Sequence, residues 1–180
     1  MVRMKKRLIV CIDCGDTIVD ESTQVFDGAG NVLRAEEIPG AVEAVLEIKR
    51  RGHPLALVAD GRIISFENIL GRLGLWDVFD ARAISEEVGA EKPDARMFRT
   101  ALERLHCTPS DARRAVMIGN NVRRDVLGAN RVGMTSVLLD WSPRYDMTPS
   151  DAGQTPDHVV HSPREWVGLI EQIERALAAD

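Results

Sequence analysis

Asp13, Asp60 and Asp125 each follow an apolar run in this 180-residue chain, and a lysine, Lys92, lies between the second and third. Asp13 closes residues 8–12 (LIVCI) and is followed by Gly15, Asp16 and Thr17; Asp60 and Gly61 close residues 54–59 (PLALVA). Asn120, Asn121 and Asp125 follow residues 115–118 (AVMI). A buried strand that ends in a carboxylate is how a parallel α/β protein places a nucleophile or a metal ligand, because ligands sit outside the carboxyl ends of the strands. Several carboxylates and amide oxygens with one lysine make a set suited to a hard cation and a phosphate. The carboxylates would hold Mg²⁺, and Lys92 would offset crowded negative charge as a phosphoryl group enters.

The elements that must position these residues can be read in order. Residues 19–37 contain two short extended runs around Asp27-Gly-Ala-Gly-Asn31, which predicts a β-hairpin flap. Ala41, Val45 and Ile48 fall on one face of a helix ended by Gly52. Helices are expected at 64–73, at 95–105 with Asp94 as N-cap, at 122–132 and at 162–178. Strands are expected at 81–84 and 135–139, with a further edge strand at 158–160. The proline-bearing stretch 141–155 is expected as an ordered loop, its Trp141-Ser-Pro-Arg-Tyr145 part bordering the site. Apolar strands alternating with helices indicate a Rossmann-like three-layer α/β sandwich, with a central, mostly parallel sheet of five or six strands.

Composition narrows the classes. Hydrophobic residues are 44% and charged residues 28%, which is globular. A net charge of -5 argues against nucleic acid as a partner. The apolar stretch after the basic first residues stops at Ile12, too short for a signal peptide or a membrane span. Three cysteines are too few for a disulfide framework, and in Cys11-x-x-Cys14 the first lies inside a strand and points to the core. A reduced, cytoplasmic protein is expected. No G-x-G-x-x-G follows the first strand, which argues against a dinucleotide-binding domain despite the similar architecture.

In order and spacing these motifs resemble those of the haloacid dehalogenase-like (HAD) phosphohydrolase superfamily, from about Leu8 to the last helix. Asp13 is similar to the family's nucleophile, Lys92-Pro93-Asp94 to its third motif, and Gly119-Asn120-Asn121 through Asp125 to its metal-binding fourth motif. The resemblance implies one HAD-like domain over residues 1–180, with Asp13 forming an aspartyl-phosphate. Asp13, Asn120, Asp125 and the Gly15 carbonyl would hold Mg²⁺, and Asp60, Gly61 and Lys92 would face a small phosphorylated substrate. Gaps between motifs leave no room for a separate cap domain, and capless relatives tend to form homo-oligomers or to accept large substrates.

Three positions depart from the pattern. Gly15 stands where the phosphatases carry a second aspartate that protonates the leaving group, Ala59 replaces a phosphoryl-binding Ser or Thr, and Asn120 replaces an acidic ligand. A positioned general acid contributes about 10²–10⁴-fold, so its loss favours substrates with good leaving groups unless Asp16 supplies the proton. The alternatives are an impaired relative that binds a phosphorylated ligand or a protein partner and, last, a capless dehalogenase.

Overall fold

The computed structural model describes residues 7–179; residues 1–6, which hold most of the basic N-terminal stretch, and Asp180 lie outside the described residues. The strands are β1 (Ile9–Ile12), β2 (Val25–Phe26), β3 (Val32–Arg34), β4 (Leu55–Ala59), β5 (Ala81–Ile84), β6 (Ala115–Gly119), β7 (Thr135–Leu139) and β8 (His158–Val160). Six of them form one sheet in the order β5-β4-β1-β6-β7-β8, and every pairing within it is parallel. The expected edge strand at 158–160 is β8.

Side-chain alternation along β1 explains why its sequence is apolar at every position. Val10 and Ile12 join one hydrophobic cluster, with Ala41, Val45, Ile48, Phe66, Leu70, Trp166 and Ile170. Ile9 and Cys11 join a second, with Met97, Phe98, Ala101, Leu102 and Ala129. The helices α1 (Ala41–Arg50), α2 (Ile63–Arg72) and α6 (Trp166–Ala176) therefore cover one face, and α4 (Ala95–Arg104) and α5 (Leu127–Val132) the other. A strand buried on both sides has no solvent face to leave polar. Cys14 packs in the first cluster, away from Cys11, so the C-x-x-C pair is split between the two faces. Both thiols are free and buried, and burial pushes the Cys11 thiol up to about 12.

The sequence reverses direction across β1. From β1 the chain passes through the β2–β3 hairpin and α1 to β4, then through α2 to β5, moving outward on one side. It continues through α3 (Ser85–Val88) and α4 to β6, which pairs with β1 on its other flank. The crevice between the ends of β1 and β6 is the topological switch point where such sheets bind ligands, and Asp13 stands there.

Two elements differ from expectation. Residues 122–132 are not one α-helix: a π-helical turn, Val122–Val126, precedes α5. Asn121 caps it, its side chain accepting from the Arg123 and Arg124 N–H groups at 3.0 and 3.1 Å. The wide turn carries Asp125 inward, where it is buried. The last helix also begins late, because residues 163–165 form a tight turn closed by a Ser162–Glu165 capping box.

The hairpin expected within 19–37 forms, with β2 pairing antiparallel to β3. Asp27 closes its turn by accepting from Ala29 N–H, Asn31 N–H and Asn31 Nδ2, with Gly30 at φ 80. Ser65 Oγ accepts from Val32 N–H at 3.0 Å, and Arg62 donates to Ala29 O and Asn31 Oδ1 at 2.9 Å. The flap is thus fastened to α2.

The turn leading into β6 depends on Asp111, which accepts from Thr108 N–H at 2.9 Å and from Arg114 Nε at 3.0 Å. The Thr108 amide, then Arg114, draws its carboxyl down to about 2. A carboxyl lowered on folding adds stability above its unfolded value and loses it as pH falls through the folded one. Asp111→Asn is expected to lower stability at pH 7 by about 1 kcal/mol, and acid denaturation followed by circular dichroism should show the difference vanishing as pH drops from about 4 to 2.

Candidate active site

The Lys92 ammonium is the centre of the site. It donates to Val58 O at 2.9 Å, to Asp125 Oδ1 at 2.7 Å and lies 2.8 Å from Asp13 Oδ1, so all three of its protons have partners. The partners belong to three adjacent strand ends: Val58 to β4, Asp13 to the tip of β1, and Asp125 to the turn beyond β6. Asp13 is held by continuation of the ladder, its N–H donating to Ile118 O at 3.0 Å. Asp60 accepts from the Lys92 backbone N–H at 2.9 Å, which fixes the loop that delivers the lysine.

Three carboxylates therefore surround one buried cation. Burial works against the Lys92 charge, but Asp125, Asp13 and Asp60 outweigh it and hold the ammonium above its ordinary range. Burial pushes the Asp125 carboxyl up, and Lys92 only partly opposes this. Asp60 is likewise raised by burial, with Lys92 pulling it back.

This excess of negative charge suits a cation. Among the described residues no three His, Cys, Asp or Glu side chains are arranged to hold a metal by themselves. Mg²⁺ does not require such a cage, since it is commonly held by one or two carboxylates together with substrate phosphate and water. Asp13 and Asp125 supply two carboxylates, and the buried Asn120 lines the same cavity, where its amide oxygen is the group that could join them. Gly119 lets Asp125 come this close: a Cβ there would lie 2.2 Å from Asp125 Cγ. The donor set is hard, oxygen-rich and under-neutralised, and it fits Mg²⁺.

A cavity of about 350 Å³ opens above these groups. Asp13, Gly15, Asp60, Gly61, Lys92, Asn120 and Asp125 all line it, so the structure brings together every sequence-predicted site residue except Asp16. Gly61 spends its N–H on Ser85 Oγ at 2.8 Å. Asp16 is fully buried, at φ 47, with its carboxylate accepting from Glu21 N–H at 2.9 Å and from Arg144 Nε. A turn residue bonded in this way is not placed as a proton donor.

Glu21, Gln24, Arg62 and Ser65 also line the cavity, and none of them is singled out by the sequence. Tyr145 comes from the 141–155 loop, whose approach to the site was expected from its position after β7. Trp141 Nε1 donates to Asp16 O at 2.7 Å, and Tyr145 donates to Glu21 Oε2 at 2.9 Å. Burial raises the Glu21 carboxyl and the Tyr145 bond opposes this, while the Asp16 and Asp13 carboxylates raise it further. Val32, Phe66 and Ile69 supply an apolar wall.

An α/β sheet with a carboxylate at the tip of its central strand and a lysine from a later loop can hold a nucleophile beside a fixed positive charge. A model of the haloacid dehalogenase-like hydrolase family matches residues 24–133, a span that includes Asp60, Lys92 and Asp125. The chain belongs to that family. It is 31% identical over 137 residues to a glyceraldehyde 3-phosphate phosphatase from Methanopyrus kandleri, covering 76% of this chain and 58% of the relative. It is 38% identical over 126 residues to a ribulose-1,5-bisphosphate 5-phosphatase from Halopiger xanaduensis, covering 69% and 52%. A solved HAD phosphatase from Thermococcus onnurineus superposes with a TM-score of 0.63 at 26% identity, covering 76% of this chain and 59% of that one. The chain spans about half the length of the curated relatives it matches. No helix among the described residues is long and apolar enough to cross a membrane.

Removing the cation from a buried ion cluster leaves uncompensated charge, at a cost of about 3–5 kcal/mol. Lys92→Met is expected to fall in that range by urea denaturation. Asp13→Asn removes one of the surplus negative charges and is expected to leave the urea midpoint unchanged or raised.

Proposed function

We propose that the protein is a Mg²⁺-dependent phosphohydrolase that works through an aspartyl-phosphate on Asp13. The observation that carries this reading is the Lys92 ammonium, shared between Asp13 Oδ1 and Asp125 Oδ1 on the floor of the cavity. Lys92 holds one Asp13 oxygen, which leaves the other to attack phosphorus. The bond from phosphorus to the leaving oxygen breaks, and water later splits the aspartyl-phosphate. Lys92 stays protonated throughout and offsets the charge of the incoming phosphoryl group. Asp13, Asn120, Asp125 and the Gly15 carbonyl would hold Mg²⁺, which when bound neutralises phosphoryl charge and orients the phosphate. Asp60 positions Lys92 through the backbone.

The relatives' names support a small phosphorylated metabolite as substrate. The cavity, at about 350 Å³, is near the lower end of ligand-site volumes. Arg62 and Arg124 at its wall offer positive charge to a second anionic group. The β2–β3 flap and the 141–155 loop would do the enclosing within one domain. Ala59 leaves the phosphoryl group one hydrogen bond short, worth about 1.5–3 kcal/mol when the partner is charged. That loss, with Gly15, favours the rival reading of a protein that binds a phosphorylated ligand without turnover. Dehalogenation ranks last, since it needs an enclosure that excludes water.

Phosphate release from p-nitrophenyl phosphate and from acetyl phosphate separates these readings. Wild type is expected to turn over both with Mg²⁺, to fall to background with a chelator, and to recover when Mg²⁺ is restored. Asp13→Asn is expected to be inactive on both. Equal inertness of wild type and Asp13→Asn, with inorganic phosphate still raising the melting temperature, would instead establish the binding protein.

A further inference from the structure

Gly15 stands two residues beyond Asp13, yet its backbone does not call for glycine, since it is absent from the positive-φ positions. What a side chain there would meet is Glu21. A Cβ built on Gly15 would lie 2.1 Å from Glu21 Oε1 and 2.9 Å from its Cδ. The Oε1 separation is close to that between an aspartate's Cβ and its own carboxyl oxygens, while the Glu21 carboxyl carbon lies farther out. The room that a side chain at position 15 would fill is therefore occupied by a carboxyl group already, delivered from a different point in the chain.

We propose that Glu21 is a catalytic residue, the proton donor to the leaving group, and that Gly15 is the opening through which it reaches the site. The proposal deepens the phosphohydrolase reading and rests on Asp13 being the nucleophile. Glu21 lines the cavity together with Asp13. Its placement is fixed from both ends. Its N–H donates to Asp16 Oδ1 at 2.9 Å, and Asp20 caps the short turn it begins by accepting from Ser22 N–H at 2.8 Å. At the carboxyl end, Tyr145 donates to Oε2 at 2.9 Å and so directs the group, leaving Oε1 as the oxygen over Gly15. Asp16 becomes a positioning residue: anchored by Arg144, it holds the Glu21 backbone.

The chemistry balances without a further reactant. As an Asp13 oxygen bonds to phosphorus, the bond to the leaving oxygen breaks and its electron pair stays on that oxygen. The leaving oxygen takes the proton of the Glu21 carboxyl and departs as an alcohol. The Glu21 carboxylate then takes a proton from water as the water oxygen attacks phosphorus. The Asp13–phosphorus bond breaks, which restores both side chains and frees phosphate. With this donor, alkyl phosphates, whose alkoxide leaves poorly, come within reach of a site whose first motif lacks its acid.

Leaving-group dependence tests the assignment. Glu21→Gln and wild type are compared on glycerol phosphate and on p-nitrophenyl phosphate, with thermal melting to check folding. Glu21→Gln is expected to lose about 10²–10⁴-fold on glycerol phosphate and at least about tenfold less on the aryl ester. The pair Gly15→Asp with Glu21→Ala, in which the blocking carboxylate is gone, is expected to recover at least about tenfold on glycerol phosphate over Glu21→Ala alone. Equal losses on both esters, or full retention on glycerol phosphate, would overturn the assignment while Asp13-dependent activity survived. Wild type inert on both esters would overturn the phosphohydrolase reading and this one with it. If Glu21→Gln does not fold, the wild-type rate over a series of aryl and alkyl phosphates decides: a shallow fall with leaving-group basicity supports the donor, and a steep one refutes it.

Discussion

The three-way bonding of the Lys92 ammonium is the constraint on which the rest of the site depends. It ties the ends of β4 and β1 to the turn beyond β6 with one buried cation. Buried ion clusters are weak contributors to stability, because desolvation offsets most of the Coulombic gain. Two apolar residues would pack there at less cost. That the chain keeps three carboxylates around one lysine is therefore better explained by chemistry than by folding. The surrounding scaffold is arranged to tolerate it: Asp60 holds the lysine loop, and the absence of a side chain at Gly119 admits Asp125.

Above this floor the walls come from segments far apart in sequence. The β2–β3 flap is fastened to α2 through Arg62, Ser65 and Asn68. The 141–155 loop is fastened to the first motif by Trp141 and Arg144, both bonded to Asp16. Asp16 thus joins the turn after Asp13 to the loop after β7. A residue committed to two elements in this way contributes by holding geometry, and its neighbour Glu21 is the group left to face the cavity.

Membership of the haloacid dehalogenase-like hydrolase family rests on a match over residues 24–133, and the departures from the motifs it resembles, Gly15, Ala59 and Asn120, fall at or just beyond the ends of β1, β4 and β6. They do not have equal weight. Asn120 keeps a carbonyl oxygen, and Gly15 has a carboxyl group from elsewhere in its space. Ala59 is fully buried in the first hydrophobic cluster and has no evident substitute.

Much of this was legible along the chain. Apolar runs closed by Asp13, Asp60 and Asn120 announced parallel strands with polar tips, because strands buried on both faces must be apolar throughout and can turn polar only at their ends. The edge strand and the positions of Asp13 and Asp60 followed from the same pattern, the hairpin from its Asp27-Gly-Ala-Gly-Asn31 turn, and Lys92 and Asp125 from the family resemblance. The π-helical turn did not, since an apolar stripe at helical spacing does not distinguish a wide turn from an ordinary one. Asp16 was a plausible acid by proximity in sequence, and only folding showed its carboxylate bonded to Arg144, 128 residues away. Glu21 was invisible for the complementary reason. Sequence determined which residues stand at strand ends, because that is a local property of periodicity. Tertiary structure decided which carboxyl group fills the space beside Asp13, because steric exclusion between Gly15 and Glu21 exists only once the turn has closed.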